Sequence, residues 1–186
     1  MIIAVVGSGG KTTLVKKLAH QFRSEGKTVL VTTSTHMFIE EDTLLTDDAS
    51  AIIRALKEKG YAMAGIPEGI KIKALSARTF EEVSGCTDVV LLEADGSKHM
   101  PLKYPNATEP VLPEETDKII VVWGPHGLGY PLREVCHRPR LAASCLGVSE
   151  DTVMTREHVS RLLESGYLSP LRKRFPTAEI TVYPPL

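Results

Sequence analysis

Apolar positions along this chain fall into short unbroken runs that alternate with stretches where they recur every three or four residues. Ile2 to Val6 is a continuous aliphatic run bounded by glycine, the pattern of a strand buried on both faces in a parallel sheet. From Thr12 to Arg23, Leu14, Val15, Leu18, Ala19 and Phe22 form one apolar stripe on a helix, which Gly26 ends. Thr28 to Thr33 is β-branched and reads as a second strand. Ala49 to Lys59 carries Ile52, Ile53 and Leu56 at helical spacing before Gly60. Downstream the same signals predict a short helical segment at Phe80 to Val83, strands at Asp88 to Leu92 and Lys118 to Trp123, short helices at Arg140 to Leu146 and Arg156 to Glu164, and a last strand at Glu179 to Tyr183. Strands and helices that alternate in this way predict an α/β fold, a mainly parallel sheet with helices on both faces.

Residues 99 to 117 interrupt the pattern. Pro101, Pro105, Pro110 and Pro113 exclude regular helix or central strand there, so the stretch is expected to be a long ordered loop or a lid. With 186 residues the chain has the length of about one domain and is expected to bury roughly 70% of its unfolded surface. A single domain over residues 1–186 is the expectation. Content of 42% hydrophobic and 24% charged residues fits a globular protein.

Charge narrows the function classes. A net charge of −1 supplies no field to attract nucleic acid or an acidic membrane, and the Arg172, Lys173, Arg174 cluster reads as a solvated face. The run Ile2 to Val6 is too short for a membrane span or a signal-peptide core, which makes the cytoplasm the expected location. Cys86, Cys136 and Cys145 lack CxxC spacing and are expected to be free thiols.

The chemistry concentrates where the first strand meets the first helix. Gly7, Ser8, Gly9, Gly10, Lys11, Thr12 and Thr13 carry three glycines that allow a sharp turn with N–H groups aimed at phosphate oxygens. The helix N-terminus adds partial positive charge, Lys11 can reach the β- and γ-phosphates, and the Thr12 hydroxyl can ligate magnesium. The strict GxxxxGK[ST] pattern would need glycine where Val5 stands, so the match is to a shortened loop, GxxGKTT, which resembles that of the Mur-type amide ligases. A P-loop nucleoside triphosphate-binding fold is expected, with ATP or GTP as ligand and Mg2+ as cofactor.

Glu93 and Asp95 end the strand rich in valine and leucine, the place where an α/β sheet offers oxygen ligands or acceptors for metal-bound water. Thr32, Thr33, Ser34, Thr35 and His36 end the second predicted strand. Thr33 is a candidate metal ligand and Thr35 and His36 candidate substrate contacts, in the manner of a switch segment. Lys98 and Lys103 follow the acidic pair and can neutralise phosphate or grip an acidic substrate. Ion pairing with Glu109, Glu114 or Glu115 is the competing reading.

The string Glu93, Ala94, Asp95, Gly96, Ser97, Lys98, then Pro101, Leu102, Lys103, Pro105 and Glu109, Pro110, Val111, with GSGGKTT upstream, resembles the YqeC-type family. Val135, Cys136, His137, Arg138 and Pro139 add a further family-like element. The resemblance implies an accessory of selenium-dependent molybdenum hydroxylases that forms or inserts their selenium-containing cofactor. A molybdenum hydroxylase apoprotein or a selenium-bearing cofactor precursor would be its partner. By position, Lys11 and Thr12 would hold nucleotide and magnesium, Glu93 and Asp95 the metal region, and Lys98, Lys103 and Arg138 the substrate. In that family an NKxD-like base-recognition segment is expected after the last strand. Here Tyr183 leads only to Pro184, Pro185 and Leu186, so a missing C-terminal segment is expected and the choice of base stays open. An NTPase is the leading expectation; a ligase or kinase acting on a small acidic substrate, and a non-hydrolysing scaffold, are the alternatives.

Overall fold

A computed structural model describes residues 1–96 and 98–186. Ser97, part of the acidic-strand motif, lies outside the described residues. The chain forms two compact units: Met1–Val5, Thr12–Ala94 and Val111–Asp117 make the first, and Val6–Lys11, Asp95–Pro110 and Lys118–Leu186 the second. Among the described residues no helix is long and apolar enough to cross a membrane.

The first unit is an α/β structure around a mostly parallel sheet. Its strands are β1 (Ile2–Gly7, whose last two residues belong to the second unit), β2 (Val29–Thr33), β3 (His36–Phe38), β4 (Thr43–Leu45), β5 (Tyr61–Glu68), β6 (Lys71–Lys73) and β7 (Val89–Glu93). Its helices are α1 (Lys11–Ser24), α2 (Ala49–Lys59) and α3 (Ala77–Ser84). β7 lies between β1 and β2 with both pairings parallel, and β5 joins β2 in parallel on its other side. β4 pairs in parallel with β5, while β6 and β3 add an antiparallel edge.

The aliphatic runs of β1, β2 and β7 are buried along their whole length, as strands covered on both faces require. Ile2, Leu30, Ile52, Leu56, Val83 and Val90 share one core cluster, against which the partly buried Phe80 packs. Burying each such aliphatic side chain stabilises the unit by about 1.5–3 kcal/mol. α2 occupies the predicted span, capped by the Asp48 side chain at its start and by left-handed Gly60 at its end. α3 starts three residues before its predicted apolar stretch, because Ser76 accepts the Thr79 N–H and caps it there.

β5 has no counterpart in the sequence-based expectations. Its residues YAMAGIPE include alanine, glycine and proline, which are poor in β propensity, and the strand forms because Ala62, Met63 and Ala64 are buried beside β2.

The second unit contains β8 (Leu102–Lys103), β9 (Lys118–Val122), β10 (Cys136–His137) and β11 (Glu179–Tyr183), with helices α4 (Leu132–Val135), α5 (Pro139–Leu146), α6 (Arg156–Leu163) and α7 (Ser169–Arg174). β9 and β11 pair in parallel through five residues. β8 and β10 also pair in parallel, Leu102 opposite Cys136 and Lys103 opposite His137. The two sequence elements around Lys103 and Arg138 are therefore neighbours in space.

The proline-rich stretch of this unit is an internal strap. Pro101, Leu102, Lys103 and Pro105 are buried, and the Gly124 N–H donates to the Pro101 carbonyl at 2.8 Å. A Cβ on Gly124 or Gly127 would collide with or crowd Pro101, so the small residues after β9 are what let the strap lie down. Of the two expectations for this stretch, ordered loop or lid, the packing of Pro101 to Pro105 supports the first.

Candidate functional site

Gly7 to Lys11 belong to the second unit, and Thr12 and Thr13 follow in the first. Gly7, Gly9 and Gly10 have φ values of +87°, +77° and +131°, the region L side chains avoid. For Gly7 a second constraint applies, since a Cβ would meet the Val122 carbonyl at the end of β9. Gly9 is pinned in the same way against Gly124 and Pro101. Gly10 is exposed, and a Cβ added there would meet nothing within 4 Å, so the turn is held on one side and open on the other.

Between these glycines, Ser8 is buried, with its N–H on the Val122 carbonyl at 2.8 Å and its hydroxyl donating to the Met100 carbonyl. Lys11 is buried at 5% exposure, and its ammonium donates to the Gly7 carbonyl at 2.9 Å, bending back over the turn. α1 opens at Lys11 with no acidic residue in its own first turn. The segment thus combines left-handed glycines, a cation and a helix start with no acidic residue of its own, the elements of an anion-binding turn.

Asp95 is fixed within the second unit. Its Oδ2 accepts the Gly7 N–H at 3.2 Å and the Tyr167 hydroxyl at 2.7 Å, and its Oδ1 accepts from the Lys103 ammonium. Lys103 also donates to the Gly96 carbonyl at 2.6 Å and lies 3.0 Å from Glu109 Oε2. Arg138 completes the set with a forked pair of hydrogen bonds to Glu109 at 2.6 and 3.1 Å.

Burial moves the proton affinities in this network. It pushes the Lys103 ammonium down to about 8, against the hydrogen bond and charge of Glu109 that hold it up. Burial would raise Glu109, but hydrogen bonds from Arg138 and Lys103 and the Lys103 charge outweigh it, bringing the carboxyl down to about 2. The Cys136 thiol, buried on β10, is pushed up to about 12.

Within the first unit, Glu93 sits at the carboxyl end of β7, opposite Val5 on one side and Thr33 on the other. Its carboxylate, in a side chain 8% exposed, accepts the Thr12 hydroxyl at 2.8 Å. Its carbonyl accepts the Thr33 hydroxyl at 2.7 Å, and the Thr33 oxygen in turn accepts the Thr35 N–H at 3.0 Å. The fold therefore brings Thr12, Thr33, Thr35 and Glu93 together at one strand end.

The remaining candidates are distributed differently. His36 is exposed on β3, with Nε2 2.6 Å from Glu68. Thr13 and Lys98 are exposed, the latter at φ +49°. Lys103, expected to face a substrate, has a fully buried side chain paired with Asp95 and Glu109, so for this lysine the ion-pair reading is the one the structure supports. Arg138 is a quarter exposed and held by Glu109. Among the described residues no three His, Cys, Asp or Glu side chains cluster to form a metal cage.

The sequence carries no signal for Tyr167. It lies in a π-helical turn, Glu164–Leu168, 72 positions from Asp95, and no local pattern joins the two. Irregular turns of this kind recur at functional sites, but the turn itself depends on tertiary packing.

The family model described as "YqeC protein" matches residues 3–140, which include the glycine-rich turn, Glu93, Asp95, Lys103 and Arg138. The Escherichia coli (strain K12) protein named "Uncharacterized protein YqeC" is 35% identical over 165 residues. That alignment covers 82% of this chain and 63% of that protein, so the chain spans somewhat less than two thirds of this relative's length. No solved structure matches the chain. The glycine-rich turn, the acidic strand end and the paired β8 and β10 elements all fall inside the matched residues, and the chain belongs to the YqeC family.

Proposed function

We propose that this chain binds a nucleoside triphosphate with magnesium through the continuous segment Gly7–Thr13 and hydrolyses it as a P-loop NTPase. The observation that carries the reading is the turn at Gly7, Gly9 and Gly10: three left-handed glycines, open at Gly10, with Lys11 folded over them. Backbone N–H groups and the start of α1 supply donors for phosphate oxygens, and Lys11 supplies a charge able to swing from the Gly7 carbonyl to a phosphate.

Hydroxyl and carboxylate oxygens suit magnesium, and Thr12 with Glu93, 2.8 Å apart, provide one of each. Thr12 would ligate the ion and Glu93 would hold it directly or through water. Magnesium bound there neutralises charge on the phosphoryl oxygens. Such an ion relies on substrate phosphates for the rest of its ligands, so a small protein donor set is what the reading requires. Asp95 takes a different role from the one expected for it. Its oxygens are occupied by Gly7, Tyr167 and Lys103, which makes it a positioning residue for the turn. Thr33, bonded to the Glu93 carbonyl, positions Glu93.

Family membership supports, as a proposal, a role for this activity in the maturation or insertion of the selenium-containing cofactor of molybdenum hydroxylases. ATP and GTP remain equal candidates. Calorimetric titration with each, with and without magnesium, tests the reading. Magnesium-dependent binding that weakens at least about tenfold in Lys11→Ala, together with release of inorganic phosphate, is the expected result. Absence of binding for both nucleotides, or equal affinity in folded Lys11→Ala, would overturn it.

A further inference from the structure

Within the second unit the chain passes the glycine-rich turn twice in quick succession. It leaves at Asp95, whose Oδ2 accepts the Gly7 N–H at 3.2 Å, and returns at Met100, whose carbonyl accepts the Ser8 hydroxyl. Pro101 continues along the turn, so close that a Cβ on Gly9 would lie 2.7 Å from its carbonyl oxygen. Behind the first anchor, the Gly96 carbonyl is held by the buried Lys103 ammonium at 2.6 Å. Lys98 and His99 therefore stand between two points that are both fastened to Gly7, Ser8 and Gly9.

Two observations distinguish Lys98. The first is conformational. Lys98 and His99 have φ values of +49° and +61°, and Arg138 is the one other non-glycine residue in that region among the described residues. Side chains are held there only where the surrounding structure imposes it, and such residues collect at ligand clamps and switch segments. The second is charge. Lys103 is paired with Asp95 and Glu109, and Arg138 with Glu109. Lys98 is exposed and pairs with no carboxylate among the described residues. Its field is felt at His137, whose proton affinity is lowered first by burial and then by the charges of Arg138, Lys103 and Lys98, beyond what Glu109 restores.

We propose that Lys98 contacts the terminal phosphate of the bound nucleotide and makes the site select triphosphate over diphosphate, an inference that rests on the nucleotide reading above. The N–H groups of a glycine-rich turn and the start of its helix hold the inner phosphates, which leaves the outer end of the phosphate chain toward the first residues of the turn. Those residues are Gly7, Ser8 and Gly9, on which the segment bearing Lys98 is anchored at both ends. A lysine there adds a charge-assisted hydrogen bond that only a triphosphate completes. Loss of the terminal phosphate frees Lys98, so the left-handed pair Lys98 and His99 is the segment that tells the two nucleotide states apart.

Calorimetric titration of the full chain with the β,γ-imido analogues of ATP and GTP, and with ADP and GDP, all with magnesium, tests the proposal. The parent should prefer the triphosphate analogue to the matching diphosphate at least about tenfold. Lys98→Ala should reduce that preference to less than about threefold by weakening the triphosphate, with diphosphate affinity and thermal midpoint close to those of the parent. Lys98→Arg should keep most of the preference. Beryllium fluoride, which stands in for the missing phosphate, should tighten diphosphate binding in the parent and not in Lys98→Ala. A parent that binds both nucleotides without preference, a preference retained in Lys98→Ala, or a Lys98→Ala that weakens triphosphate and diphosphate alike overturns this proposal and leaves the nucleotide reading standing. A parent that binds no nucleotide overturns both.

Discussion

Asp95 accepts the backbone N–H of Gly7 at 3.2 Å across 88 positions of sequence, tying the strand end that carries one motif to the glycine that opens the other. The same carboxylate is the counter-charge of Lys103 and the acceptor for Tyr167. This carboxylate is held by three internal partners, so its removal should be felt first in stability.

Asp95→Asn should destabilise the protein by about 3–5 kcal/mol, because it leaves the buried Lys103 ammonium short of its closest anion. Urea unfolding measures it. A loss below about 1 kcal/mol would mean that Glu109 alone compensates Lys103.

Glu109 should make the protein acid-sensitive in a defined window. Its folded carboxyl titrates at about 2 against an ordinary value of 4.5, so the stabilisation from its ionised form is complete above about 4.5 and disappears as pH falls toward 2. The loss is on the order of 2 kcal/mol, moderated by the partial exposure of the pair with Arg138. Unfolding curves at pH 6 and pH 3 should diverge for the parent chain and much less for Glu109→Gln; equal divergence in both proteins would count against the assignment.

Gly9 and Gly10 should respond differently to alanine. A Cβ on Gly9 would lie 2.5 to 2.7 Å from backbone atoms of Gly124 and Pro101, at φ +77°, so Gly9→Ala should cost about 3 kcal/mol or more. At Gly10 a Cβ meets nothing within 4 Å and the cost is that of its φ alone, about 1–2 kcal/mol. Thermal denaturation of the two variants distinguishes them, and equal shifts would show that backbone conformation alone sets the cost.

Thiol labelling should find two classes of cysteine. Cys86 and Cys145 are exposed, whereas Cys136 is buried on β10 with its thiol pushed up to about 12. Ellman's reagent on the native protein should modify two of the three thiols quickly and the third only on unfolding. Rapid reaction of Cys136 in the native protein would contradict its burial.

Much of the fold is legible in the sequence because it is local. The aliphatic runs of β1, β2, β7 and β9 and the periodicity of α1 and α2 specify burial on two faces or one, and each forms within a residue or two of its predicted span. β5 is not legible, since its alanines and glycine carry no strand signal and it forms against β2. At the site, Thr12 and Glu93 are expected from sequence as a pair of oxygen donors and do meet. Lys103 is expected either to meet phosphate or an acidic substrate or to pair with a glutamate, and the strap at Pro101 and Leu102 carries it inside to Asp95 and Glu109.

By itself the sequence determined the strand-turn-helix at Gly7 to Thr13 and the acidic end of β7, because glycine conformation, helix periodicity and strand hydrophobicity act between near neighbours. Only the tertiary structure decided which of the charges are buried and paired with one another. That depends on burial and on partners many positions away: Lys103 on Glu109 and Asp95, Arg138 on Glu109, Tyr167 on Asp95.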